Sequence, residues 1–279
     1  FRELRKKRPR CLALANLAEL LTLQGEPLQA RQRAHAAVQL ANALNYRLGI
    51  AAATRTMALS ALDLGLSTEA HNLLTKALFV SRQIRIVEEQ IACLVGLTQW
   101  ALEHDDFKSG REYAEAGLKA TAMRDPERYS PLLKAQLACC LAETNPELSR
   151  DYLNEAEMAL SDLPLPRKTQ VHLAFAWACV TLHETDRARG YAREVLQAAG
   201  SHGFRLLSLE ARTLMTHLAD GEERRTHQLV GQELAKAFTA ALPAEMAQSF
   251  MRRSFLTYLD DEDQYTTEVV ATDIDLDTE

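Results

Sequence analysis

Aromatic residues are scarce in this chain, and so are long apolar runs. Aromatics make up 6% of the 279 residues, while 47% of the residues are hydrophobic, chiefly Ala and Leu. Ala and Leu are good helix formers, whereas strands favour β-branched and aromatic residues. No apolar run approaches the ~18 residues of a membrane span. These absences argue against a β-sheet protein and predict an all-α protein with no membrane partner.

Motifs that would carry chemistry are also missing. No Gly-rich phosphate-binding loop of either common form occurs, which argues against nucleotide hydrolysis. His183-Glu184 begins like a zinc-protease motif, but Arg187 stands where the second His is required. Cys139-Cys140 has no neighbouring His in sequence, so packing in the core is the default interpretation of this pair. We therefore predict no catalytic residue, no metal and no cofactor, and hence no enzyme in this chain.

The cysteines and the charges bear on the cellular compartment of the chain and on its partners. The five cysteines are odd in number and none lies in a C-x-x-C pair, which favours a reducing, cytoplasmic compartment. Residues 260–279 carry nine acids and no Lys or Arg, so we predict an acidic, disordered tail, with a strand as the alternative. The basic residues between Arg5 and Arg10 are interpreted as a solvated lead-in to a helix. We expect no nucleic-acid partner.

A pattern of small residues recurs along the chain. It starts as Gly25, Ala30, Ala34 and Ala37, and it returns at steps of 40, 40, 39 and 39 residues. The later copies are Gly65, Ala70, Leu74, Ala77; Asp105, Gly110, Ala114, Gly117; Thr144, Ser149, Leu153, Ala156; and His183, Ala188, Ala192, Val195. A fixed period in this range is the signature of a repeat architecture.

This period predicts an α-solenoid of about six helix-hairpin repeats. Helical spacing of the apolar residues, with Gly or Pro between segments, places two helices in each repeat. The expected organisation is a basic lead-in at 1–8, a repeat array at 9–259 and the acidic tail at 260–279. Within the array we expect repeats near 9–46, 47–86, 87–127, 128–164, 165–203 and 204–243, and a capping helix at 244–259.

The repeats resemble the tetratricopeptide repeat. The residues that carry the resemblance are Leu17-Ala18, Gly25, Ala30, Ala34 and Ala37, together with the corresponding positions of the next two copies. The usual period of that family is 34 residues, and here it is about 40, so HEAT or armadillo repeats are the alternative fold. The early aromatic residue of the family is also replaced.

The end of the array resembles the C-terminal sensor arrays of large bacterial signalling proteins. The segments that carry this resemblance are Leu242–Met246 and Phe250–Arg253. It implies a multidomain ATPase or kinase regulator whose effector domain precedes the array. Residue 1 is Phe, which led us to expect that the chain is a piece of a larger protein.

Stacked hairpins form a concave groove lined by the first helix of each pair, and this groove is the predicted binding site. We expect it to hold a peptide or protein segment, with a small-molecule effector as the alternative and self-association as a further one. Arg55 and Trp177 are the expected anchors, although Trp177 could instead pack against the sixth repeat. The predicted binding residues are Glu19, Arg55, Leu59, Gln99, Glu103, Lys134, Trp177 and Thr181.

Overall fold

The computed structural model describes residues 2–122 and 126–259, with the side chains of 2–6 and 126–127 left aside. Within this part every regular element is helical, as the composition predicts. The α-helices are α1 (Arg2–Leu23), α2 (Pro27–Ala43), α3 (Arg47–Asp63), α4 (Ser67–Gln83), α5 (Val87–Leu102), α6 (Phe107–Thr121), α7 (Pro126–Leu141), α8 (Pro146–Glu157), α9 (Leu165–Thr181), α10 (Thr185–His202), α11 (Arg205–Leu218), α12 (Gly221–Ala240) and α13 (Ala244–Met251). Two 3₁₀ segments add Leu160–Asp162 and Ser254–Leu259.

Most hairpin turns depend on a residue with left-handed backbone geometry, and the turn between α7 and α8 is an exception. Gly25 and Gly65 have φ of 74° and 72°, and Asp105 and His183 have φ of 54° and 60°. A left-handed residue just after a helix lets the following amide bond back to the last turn, as Glu26 N does with Leu21 O at 2.9 Å. This requirement explains why one position recurs at the hairpin turn in the sequence pattern.

The small residues of the repeat pattern pack the two helices of each hairpin together. The positions Ala30, Ala34, Ala37, Ala70, Leu74, Ala77, Ala114, Leu153, Ala156, Ala188, Ala192 and Val195 are all at most 1% exposed. At Gly117 a Cβ atom would lie 2.9 Å from the side chain of Leu133, so the approach of α6 to α7 leaves no room for one. Small side chains thus set the close helix spacing on which the superhelix depends.

The superhelix closes on itself, because its first two turns contact its last elements. A Cβ on Gly25 would lie 2.8 Å from the Phe238 ring, and one on Gly65 would lie 2.7 Å from the carbonyl carbon of Ser249. Glu26 also forms an ion pair with Arg205 at 3.4 Å. The two ends of the array are therefore in contact, although Glu26 and Arg205 are separated by 179 residues in sequence.

The ends of the array differ from the expected boundaries. Helix α1 begins at Arg2 and continues through Pro9, because Lys and Arg are good helix formers and one proline removes only one backbone hydrogen bond. The expected single capping helix at 244–259 is instead broken. Helix α13 ends at Met251, and the following segment, Arg252–Leu259, turns into the concave face. We call this segment the C-terminal strap.

The strap leaves the helical direction because its side chains find partners inside the superhelix. Phe255, Leu256 and Leu259 are buried, and the amides of Gln228 and Gln232 both donate to the Leu259 carbonyl at 3.0 Å. The predicted acidic tail, 260–279, lies outside the described residues. Within the described residues no helix is long and apolar enough to cross a membrane.

Candidate functional site

The concave face encloses a cavity of about 690 Å³. Its walls come from the first helix of each hairpin, namely α1, α3, α5, α7, α9 and α11, and the strap closes one side. This volume falls within the range of about 300 to 1,000 Å³ that is usual for ligand sites. The cavity coincides with the groove that the repeat pattern predicts.

Most of the predicted binding residues line this cavity. They are Glu19, Arg55, Leu59, Gln99, Glu103, Trp177 and Thr181. Lys134 does not line it, and its Nζ instead lies 2.7 Å from Oε2 of Glu155 on α8. The reason is helical geometry. Leu132 and Gln136 face the cavity, and a residue two positions from each points to the other side of α7.

Arg55, one of the two expected anchors, already has protein partners. Its Nε lies 2.6 Å from Glu89 Oε1, and its Nη2 lies 3.5 Å from Glu19 Oε2. Burial opposes the charge, but the carboxylates of Glu89 and Glu19 outweigh burial and raise the pKa of Arg55 above its ordinary value. The guanidinium therefore holds α1, α3 and α5 together, and its removal would leave the buried Glu89 unpaired.

Trp177, the second expected anchor, lines the cavity and also packs against the sixth repeat. Its ring centroid lies 6.1 Å from that of Tyr258 in the strap, and its indole contacts the apolar clusters that include Leu206 and Leu207. Both interpretations of Trp177 thus apply to one side chain. Its exposed edge can contact a ligand, while the rest of the ring supports the fold.

One end of the cavity is acidic and is organised by Arg253. Its Nη2 lies 2.9 Å from Glu103 Oε1 and 3.4 Å from Glu210 Oε1, and its Nη1 donates to the Asp63 carbonyl at 3.4 Å. Burial raises the pKa of Asp63 to about 8 and that of Glu210 to about 7, against the opposing effect of Arg253. The guanidinium thus bonds to two carboxylates and to the main-chain carbonyl of Asp63, and Asp63 Oδ2 has no hydrogen-bond partner.

The opposite end is basic and aromatic. The guanidinium carbons of Arg128 and Arg167 lie 5.2 Å and 5.1 Å from the centroid of the Tyr129 ring. Farther along α7, Gln136 is 5% exposed, and its Nε2 donates to Val95 O at 3.4 Å. Its Oε1 has no hydrogen-bond partner although it is buried in the cavity wall.

Sequence reasoning missed Arg128, Arg167, Glu210 and Arg253 as cavity residues. Arg253 is the clearest case, since it lies 150 residues from Glu103 and in a segment that has no repeat column. The other three lie on the first helix of their repeats. A count of the inward positions along α7, α9 and α11 was the signal that could have found them.

Burial shifts the pKa values of the thiol and imidazole groups near the cavity so that their neutral forms are favoured. Burial raises the pKa of the Cys139 thiol, and its Sγ donates to Ala174 O at 3.2 Å. Burial lowers the pKa of His172, which packs against Phe175 and Tyr191. Within the described residues, no group of three or more His, Cys, Asp or Glu side chains could hold a metal ion.

Comparisons with known proteins support the fold. No protein-family model matches the chain, and no curated protein matches it in sequence. Solved structures do match. The Rap conjugation gene regulator of plasmid pLS20, in complex with the Phr* peptide, has a TM-score of 0.63 at 13% identity, over 92% of this chain and 75% of that one.

Two further Rap structures match as well. A Rap protein complexed with Competence and Sporulation Factor has a TM-score of 0.64 at 9% identity, over 88% of this chain and 71% of that one. The apo form of RapI has a TM-score of 0.57 at 12% identity, over 90% and 94%. The predicted all-α solenoid of tetratricopeptide type is thereby confirmed as the fold, and the HEAT and armadillo alternative is set aside.

Proposed function

We propose that this chain is a non-catalytic regulatory module that binds an extended peptide or protein segment in its concave cavity. In this proposal it works in the cytoplasm as the sensor part of a larger bacterial signalling protein. The observation that carries the proposal is a superhelix whose ends meet around a concave cavity of about 690 Å³, lined by charged, amide and aromatic side chains. The backbone amides and side chains of an extended segment can bond to such a lining.

Polar side chains are spread along the cavity lining. Gln99 and Gln136 lie on α5 and α7, and Asp63 and Glu103 lie at one end of the cavity. Amide groups of an extended peptide are spaced to reach several such side chains along a groove.

The matched structures favour the same class of occupant. The Rap regulator of plasmid pLS20 was solved in complex with the Phr* peptide, on the same fold as this chain. At 13% identity this likeness supports the choice of a peptide as the first ligand to test, and the cavity lining supports it independently.

The test is selection of peptides by the chain from a synthetic pool. Hexapeptides with free termini are equilibrated with the protein, retained peptides are identified by mass spectrometry, and their affinities are measured by calorimetry. Gln99→Leu should weaken binding about 10-fold, since the cavity wall loses a part-exposed amide that a peptide can bond to. The same change removes the bond from Gln99 Nε2 to Glu103 Oε1, so it should lower stability by about 1 kcal/mol at most.

A matched control is Gln29→Leu, which makes the same chemical change at an exposed position on α2. It should leave the affinity unchanged. No retained peptide, or equal weakening by both variants, would contradict a peptide site in the cavity.

A small-molecule effector is the alternative, and the size of the cavity favours it. The strap bounds one side, and a volume of about 690 Å³ suits a metabolite as well as a short peptide. A ligand at 100 times its Kd should stabilise the fold by about 2.7 kcal/mol, because it binds only the folded state. A thermal-shift screen of metabolites in which every compound leaves Tm unchanged would exclude this alternative.

A further inference from the structure

Among the described residues four arginines line the cavity, and three of them are already neutralised by a carboxylate. The pairs are Arg55 with Glu89, Arg128 with Glu88, and Arg253 with Glu103. The fourth, Arg167, has no carboxylate partner among the described residues. Its Nη1 donates to Gln170 Oε1 at 3.2 Å, and its guanidinium lies over the Tyr129 ring.

The surroundings of Arg167 supply too little negative charge to balance its guanidinium. Burial is the main effect and lowers the pKa of Arg167, and the nearby cations Arg55 and Arg128 act in the same direction, against Tyr129 and Glu19. A guanidinium in this range keeps its proton, so the imbalance remains as a positive charge directed at the cavity. An anion bound there would restore the balance.

The lining helices add to this polarity. Arg128 and Arg167 lie in the first turns of α7 and α9, whereas Asp63 ends α3 and Glu103 directly follows α5. Helix N-termini favour anions and C-termini favour cations. The cavity is therefore positive at the end of Arg167, whereas at the other end the C-termini of α3 and α5 favour a cation.

The distance between the two ends fits a short extended peptide. From the level of Glu88, the partner of Arg128, to the level of Glu103 the α5 axis advances by fifteen residues, or ~22 Å at 1.5 Å per residue. An extended chain covers this distance in about six to seven residues at ~3.3 Å each. A bound peptide can thus reach both charged ends at once.

We propose that Arg167, supported by the Tyr129 ring and Arg128, is the anchor for a carboxylate of the bound peptide. This inference rests on the peptide-binding function proposed above. The planar guanidinium fork matches a carboxylate in bidentate geometry, which a Lys ammonium does not. The peptide then directs an ammonium group, from its N-terminus or a side chain, towards Glu103 and the C-termini of α3 and α5.

The carboxylate has two possible sources, the peptide C-terminus and an Asp or Glu side chain. Two hexapeptide pools of identical composition without Asp or Glu distinguish them, one with free C-termini and one with C-terminal amides. A third pool is amidated and contains Asp and Glu. Each pool is selected on wild type, Arg167→Gln, Arg167→Lys and the exposed control Arg111→Gln on α6.

We expect wild type to retain peptides that carry a carboxylate at least 10-fold better than peptides that carry none. Retention from the first pool but not the second assigns the C-terminus, and retention from the third alone assigns a side chain. Arg167→Gln should lower the affinity for carboxylate-bearing peptides by about 10- to 100-fold, as expected for loss of a hydrogen bond to a charged group. The affinity of Arg167→Lys should lie between those of wild type and Arg167→Gln, and that of Arg111→Gln should equal the wild-type affinity.

The outcomes separate the two proposals. Peptides retained equally from all pools and by Arg167→Gln would overturn the carboxylate anchor and leave the peptide site standing. Failure of every pool to bind wild type would overturn both proposals. If Arg167→Gln does not fold, Arg167→Lys still tests the carboxylate anchor. This variant keeps the charge and the aliphatic part of the side chain and removes only the planar guanidinium group.

Discussion

Closure of the superhelix depends on the absence of a side chain at Gly65, and Gly65→Ala tests this. Gly65 has φ of 72°, and a Cβ there would lie 2.7 Å from the Ser249 carbonyl carbon, with the carbonyl oxygen closer still. Gly203 is a matched control, because its φ is 73° and nothing lies within 4 Å of its Cβ position.

The expected magnitudes follow from these two environments. Gly203→Ala carries only the left-handed backbone cost, about 1 to 2 kcal/mol. Gly65→Ala carries the same cost and also forces α13 outward, since a backbone carbonyl cannot rotate away. Exposure of Phe250, which is 0% exposed in the native protein, adds about 1.5 to 3 kcal/mol. The total for Gly65→Ala is about 3 to 5 kcal/mol.

Thermal unfolding with hydrogen-exchange mass spectrometry measures both effects. At roughly 2 to 4 °C per kcal/mol, Gly65→Ala should lower Tm by about 6 to 20 °C, and Gly203→Ala by about 2 to 8 °C. Exchange should rise in α13 and the strap for Gly65→Ala alone. Equal Tm shifts together with unchanged exchange in α13 would refute the argument that Gly65 is required for closure.

Three further predictions concern the strap and the helices. Burial keeps Asp63 protonated up to a pKa of about 8, against an ordinary value of 3.8, so the native state holds a proton that the unfolded state has lost. The free energy of unfolding should therefore fall as pH rises from about 4 to 8. In urea titrations Asp63→Asn should show a weaker dependence on pH. Parallel pH dependences of wild type and Asp63→Asn would contradict this prediction. Arg253→Gln should cost about 3 kcal/mol in urea unfolding and release the strap to proteolysis, because Arg253 is the cation that pairs with Glu103 and Glu210. Gly190→Ala should raise stability by about 1 kcal/mol in the same assay, because Gly190 lies within α10 and nothing lies within 4 Å of its Cβ position.

The helices and their pairing could be predicted because they depend on neighbours in sequence. The recurrence of Gly25, Ala30, Ala34 and Ala37 reflects one turn geometry and one packing face, and both repeat with the hairpin. These constraints act within about 40 residues, so the period contains them.

The strap and the charge arrangement in the cavity could not be predicted, because they depend on contacts across the whole chain. Arg253 lies 190 residues from Asp63, and no local pattern relates the two. Lys134 shows a smaller failure of the same kind. It was assigned to the groove by repeat position, whereas the phase of α7 turns it towards Glu155. Whether the remaining predicted residues bind a ligand stays a prediction.

Contact between the first and last repeats has a consequence for how the molecule can change. In an open solenoid, stability is close to a sum over neighbouring repeats, and a repeat can be gained or lost at little cost. Here one repeat more or fewer would move Gly65 away from Ser249, so the number of repeats is set by the geometry of a ring. Folding also cannot finish from one end, since the last contacts must wait for both ends to be present. We therefore expect this array to unfold as one unit, and to vary in its surface and cavity side chains while keeping its length.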